Sequence, residues 1–135
     1  MVKIIAGGMG TGKTKRMIQM ANEMAKTSDG NIIFIDDDNR NIFELDHKVR
    51  FINLEEYSIN TAPMLYGFVC GLMSSNFDID TIFVDGLAYL NELKNDNLEK
   101  VIDVFNEVSE KQSVTFVICF NHDGELPEHI KEMQI

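Results

Sequence analysis

The sequence predicts a single three-layer α/β domain in which helices cover both faces of a mostly parallel sheet of about five strands. Three observations predict it. Short β-rich apolar runs alternate with stretches of helical periodicity along the chain. The runs are apolar at nearly every position, as in strands buried on both faces. The length, 135 residues, suits one domain that buries a real core without staples, so residues 1–135 are read as one unit.

The elements follow in order. Val2–Ala6 is a β-rich run ended by Gly7-Gly8. Met17, Met20, Ala21, Met24 and Ala25 recur at helical spacing, which predicts an amphipathic helix over 13–27. Ser28-Asp29-Gly30 stops it, with Gly30 in the C-cap region. Asn31–Ile35 is the second strand and runs into Asp36-Asp37-Asp38. Residues 39–48 give no clear period, and Val49–Asn53 reads as a short strand. Thr61 is placed to cap a helix over 62–75, with Pro63 tolerated in its first turn. On that helix Gly67 and Gly71 are expected to allow close packing. Thr81–Val84 is a strand ending at Asp85-Gly86. Leu98, Val101, Ile102, Phe105 and Val108 share one face of a helix over 96–111. Val114–Phe120 is an apolar strand, and Pro127 opens a short last helix with Ile130 and Met133 facing inward. Right-handed crossovers bring the C-terminal ends of parallel strands to one edge, where ligands bind. Gly7, Asp36, Asp85 and Asn121 are therefore expected to converge.

Composition narrows the partners. The net charge is −10, from 22 acidic and 12 basic residues, and the three arginines are Arg16, Arg40 and Arg50. Such a field repels a nucleic-acid backbone, so no nucleic-acid partner is expected, although a small basic site remains open. The apolar stretch from Ala62 to Met73 is shorter than the ~20 residues that span a bilayer. The N-terminal apolar run is too short for a signal peptide, and the simplest location is the cytoplasm. Cys70 and Cys119 sit in apolar stretches and read as buried reduced thiols. His47 and His122 have no Cys or His at metal-ligand spacing, so no zinc is expected.

One segment carries chemistry. Residues 7–14 read Gly-Gly-Met-Gly-Thr-Gly-Lys-Thr, matching G-x-x-x-x-G-K-[ST] at every fixed position, between a strand and a helix. The glycines let the backbone curl so that successive N–H groups point inward on phosphate oxygens. The helix N-terminus adds unsatisfied N–H groups and partial positive charge. Gly8, Met9, Gly10, Thr11, Gly12, Lys13 and Thr14 are the expected binding residues: Lys13 sets a point charge on the β- and γ-phosphates, and Thr14 offers its hydroxyl to Mg²⁺.

With this loop the chain resembles the P-loop NTPase superfamily. The resemblance implies binding of a nucleoside triphosphate and a second motif, an apolar strand ending in an Asp that holds Mg²⁺. Ile82-Phe83-Val84-Asp85 matches it, so Thr14 and Asp85 are the expected metal residues. In the RecA-like branch a Glu that polarises water follows that Asp, and a polar γ-phosphate sensor ends the strand between the two motif strands. Gly86 stands at the first position, and Asn121 matches the second. Lys13, Asp85 and Asn121 are then the expected catalytic set. GTPases read guanine with N-K-x-D, whereas this chain has Asn121-His122-Asp123-Gly124, which favours ATP. The implied sheet is RecA-like or thymidine-kinase-like, with strand 114–120 between strands 2–6 and 80–85 and strand 31–36 beyond; direct pairing of 80–85 with 2–6 would indicate the kinase-like branch instead.

Three functions stay open on these residues: a regulatory ATP-binding module or slow ATPase, an ATPase completed by a protein partner or a second copy of the chain, and a small-molecule kinase with its acceptor near Asp36 and Arg40. Residues 86–113 contain no Arg for a kinase lid, and Glu55-Glu56-Tyr57 reads as an exposed acidic turn. The whole chain also resembles a group of short bacterial P-loop proteins of unassigned role, described only as ATP-binding, through its N-terminal loop, the Glu-Glu-Tyr turn and Tyr66-Gly67-Phe68.

Overall fold

A computed structural model describes residues 1–76, 78–85 and 95–135. Strands β1 (Val2–Gly7), β2 (Asn31–Asp36), β3 (Val49–Asn53), β4 (Ile79–Val84) and β5 (Thr115–Asn121) form one five-stranded sheet in the order β1-β5-β4-β2-β3. Every pairing is parallel. Strand β5 lies between β1 and β4, with β2 beyond, so the RecA-like order holds and direct pairing of the two motif strands is excluded.

The near-continuous apolar runs are explained by two cores. Alternate residues of each strand point to opposite faces. Ile5, Ile32, Phe34, Phe83 and Val117 face helix α1 (Lys13–Thr27), which buries Met17, Ile18, Ala21 and Ala25 against them. Their neighbours Ile4, Ile33, Ile82, Phe116 and Ile118 face the other side. There they meet α2 (Ala62–Ser75), α3 (Asn95–Gln112) and α4 (Glu128–Lys131). On the α1 side Phe34 stacks between Phe83 and Phe51, with ring centroids 5.9 and 6.4 Å apart.

Local signals set the element ends. Thr61 accepts from the Met64 amide at 3.4 Å and caps α2 as expected. Residues 39–48, which gave no period, hold only a 3-10 turn at Ile42–Glu44, and Glu55-Glu56-Tyr57 lies in another at Leu54–Tyr57 with all three residues exposed. Ile130 is buried and Met133 packs against the core.

Two glycine readings need correction. Helix α1 ends on Ser28 in an extended conformation, and Gly30 is not its cap. Gly30 is needed for close approach instead: a Cβ there would lie 2.9 Å from Asp80 Cβ and 3.0 Å from the Asp78 carbonyl. Gly67 and Gly71, expected to bring two elements close, have no such neighbour among the described residues: a Cβ at either would meet nothing within 4 Å. No described helix is long and apolar enough to cross a membrane.

Candidate functional site

The expected convergence occurs at the C-terminal edge of the sheet. Strand β1 delivers the loop, and α1 starts at Lys13 immediately after it. Gly10 and Gly12 take φ of 75° and 79°, the left-handed region that a Cβ disfavours. Gly12 occupies the N-cap position of α1 without a side-chain cap, and the first turn carries no acidic residue. Among the described residues no N-cap side chain accepts from the N–H groups there, the arrangement in which a helix start can take an anion. The Lys13 ammonium lies in the curl of the loop, donating to the Gly8 carbonyl and, at 3.3 Å, to the Thr11 hydroxyl. Thr11 in turn donates to the Gly8 carbonyl at 2.9 Å. Met9 stands at the exposed tip of the loop.

Strand β4 delivers Asp85 to the same place. Its amide donates to the Ile35 carbonyl at 2.9 Å, which ties the end of β4 to the end of β2. Its carboxylate accepts from the Thr14 hydroxyl at 3.4 Å. Both expected metal residues thus present hard oxygen donors side by side, the ligand type that Mg²⁺ prefers. Asp85 is only 2% exposed. Burial raises its carboxyl above the ordinary carboxylate range, while hydrogen bonds from Thr14 and Cys119 pull it back.

A cavity of about 380 Å³ opens over these groups. Of the expected residues, Met9, Gly10, Thr11, Gly12, Lys13, Thr14, Asp85 and Asn121 line it. Gly8 is not in the lining, and its carbonyl is engaged by Lys13 and Thr11. Asn121 ends β5 in register with Gly7, between the two motif strands. Gly86, the residue in place of the water-polarising Glu, falls outside the described residues.

Four lining residues were not assigned to this pocket from the sequence: Lys15, Arg40, Cys119 and Phe120. The signal for Lys15 was its position directly after the motif. For Cys119 it was strand parity, since Cys119 pairs with Ile5 and shares the α1 face. Cys119 is buried, and burial next to Asp85 pushes its thiol up to about 12, so it stays protonated and donates to Asp85. Arg40 had no local signal for this pocket; it arrives on the β2–β3 connection.

The acidic run sits beside the pocket. Asp36 ends β2, is 4% exposed, and accepts from the Asp37 amide at 2.7 Å. Burial, helped by the charges of Asp85 and Asp38, pushes it up to about 7 against the pull of that amide. Asp36, Asp37 and Asp38 hold their carboxylate oxygens within 4.8 Å of one another. Arg40 pairs with Asp38 at 2.8 Å.

No protein-family profile and no curated protein matches the chain. Among solved structures, a KaiC-like protein from the hyperthermophilic archaeon Pyrococcus horikoshii is similar, with a TM-score of 0.65 at 15% identity. The match covers 96% of this chain and 64% of that one, so the chain spans less than two thirds of its neighbour's length. At that identity the likeness is one of fold. With the strand order, it gives the chain a RecA-like P-loop architecture.

Proposed function

We propose that this chain binds ATP with Mg²⁺ at residues 7–14 and works as a regulatory module whose own hydrolysis is slow or depends on a partner. The observation that carries the reading is the meeting of Lys13, Thr14 and Asp85 at the uncapped N-terminus of α1. The backbone N–H groups of the loop and helix start hold phosphate oxygens. Lys13 exchanges its loop carbonyl for the β- and γ-phosphates. Thr14 and Asp85 would hold Mg²⁺, which when bound would supply positive charge against the phosphates. Asn121, at the end of the strand between the two motif strands, lines the same pocket and would serve as the γ-phosphate sensor. The sequence holds Gly86 where a water-polarising Glu would stand, which supports slow hydrolysis unless a partner or a second copy completes the site.

Titration of ATP against the protein, with and without Mg²⁺, tests the reading. Binding that Mg²⁺ strengthens and that Lys13→Ala abolishes is the expected result. Absence of binding at millimolar ATP would eliminate it.

A second reading, a small-molecule kinase, is favoured by Asp36. Its carboxyl near 7 beside the phosphate pocket suits a general base for an acceptor hydroxyl. A screen of metabolites for ADP release separates the two readings: acceptor-dependent turnover that Asp36→Asn removes supports the kinase, and flat turnover with ATP bound supports the regulatory module.

A further inference from the structure

We infer that the outward face shared by α2 and α3 joins two copies of this chain as a reversible two-fold dimer, with Val104 near the axis and Lys100 of each copy set against Glu107 of the other.

This face is apolar in a chain that is otherwise acidic. Helix α2 carries no charged residue over its 14 positions, although 25% of the chain is charged. Between α2 and α3 two cavities of about 350 and 400 Å³ run end to end and share Tyr66 in their linings. They make one groove alongside Ala62 to Ser74, about 18 Å along the helices. Buried Phe105, Val108 and Met73 form its floor, while Tyr66 and Val104 stand 39% and 38% exposed at its rim. Exposed apolar side chains gathered in this way mark a contact surface.

The charges on the face select the occupant. A net charge of −10 draws a basic partner to the acidic surfaces, and two copies repel each other least where they meet through a face that is not acidic. On α3 the cavity beside Val104 is lined by Lys100 toward one end and Glu107 toward the other. They lie two helical turns apart, about 10.5 Å, with Val104 near their midpoint. A two-fold contact repeats each pairing, so that what one copy offers the other returns. With the axis at Val104 and the two α3 helices antiparallel, each Lys100 meets Glu107 of the other copy. Among the described residues Lys100 has no ion-pair partner. Glu107 holds Lys111 at 2.9 Å, and a carboxylate accepts from more than one donor. A second copy therefore satisfies both the apolar centre and the charged ends. A face two helices wide is at the small end of specific interfaces, which makes the dimer reversible. Helices α2 and α3 cover the sheet face opposite α1, so the contact is independent of the nucleotide reading.

The test is sedimentation equilibrium from micromolar to millimolar chain, for the wild type, Val104→Glu, Lys100→Glu, Glu107→Lys and the double variant Lys100→Glu/Glu107→Lys. The wild type is expected to pass from monomer to dimer as concentration rises, with or without nucleotide. Val104→Glu sets two carboxylates together at the axis and should raise the dimer dissociation constant at least about tenfold. Each single charge reversal puts like charges opposite each other twice per dimer and should raise it roughly tenfold. The double variant should recover most of the wild-type affinity, which also shows that the reversed chain folds. A wild type that stays monomeric throughout overturns the inference and leaves the face to a different protein. A dimer untouched by Val104→Glu, or single losses that the double variant fails to recover, overturns it by placing the contact elsewhere.

Discussion

The Thr14 hydroxyl donates to the Asp85 carboxylate at 3.4 Å, joining the first turn of α1 to the end of β4 across 71 positions of sequence. If the two oxygens serve one Mg²⁺, their removal is not additive. Thr14→Ala and Asp85→Ala are each expected to weaken the Mg²⁺ dependence of ATP binding, and the double variant should be little worse than the poorer single one. Titrations at several Mg²⁺ concentrations check this. Losses that simply add would mean that the two side chains act on separate things.

Asp36 makes the stability of the fold depend on pH. Its carboxyl stands near 7 in the folded chain and at 3.8 in its ordinary state. The folded state therefore holds a proton that the unfolded state gives up between those values. Stability from this group is fully present below about pH 4, falls as the pH rises through 7, and levels off above it. The change across that window is on the order of a few kcal/mol. Urea unfolding midpoints without Mg²⁺ should drop from pH 5 to pH 8 in the wild type and change less in Asp36→Asn. An unchanged slope in the variant would assign the pH dependence elsewhere.

Gly30, Gly67 and Gly71, all outside the loop, should not respond to alanine in the same direction. Gly30→Ala puts a Cβ 2.9 Å from Asp80 Cβ and 3.0 Å from a backbone oxygen. It is expected to destabilise the chain by about 1–3 kcal/mol, the usual range for overpacking. Gly67→Ala and Gly71→Ala put a Cβ on a helix where no described residue lies within 4 Å. Each should stabilise by about 0.5–1 kcal/mol through helix propensity. Thermal melts of the three variants decide the signs.

The two cysteines should differ in reactivity. Cys119 is 2% exposed, and burial pushes its thiol up to about 12. Cys70 is half-buried. Iodoacetamide at pH 8 should modify Cys70 in the native protein and reach Cys119 only after unfolding, since the thiolate is the reactive form. Peptide mapping by mass spectrometry reads this directly. Early labelling of Cys119 would contradict its closed setting beside Asp85.

The helices, the strands and the glycine-rich loop were legible because their signals are local. Period-2 and period-3.6 patterning, the Thr61 cap and the run from Gly7 to Thr14 each act over a few residues, and each reappears in the fold. The strand order was legible only through the resemblance carried by the loop and Asp85, since periodicity does not say which strands are neighbours. Tertiary structure alone decided what meets what. It set Gly30 against Asp78 and Asp80 and left Gly67 and Gly71 without such a neighbour among the described residues, although a glycine looks the same in sequence whichever role it has. It turned Cys119 toward Asp85, buried Asp36 at a strand end, and carried Arg40 into the lining of the cavity over the glycine-rich loop. The physical reason is range: backbone conformation follows from nearby residues, whereas burial, charge and contact follow from strand ends that the chain brings together from distant positions.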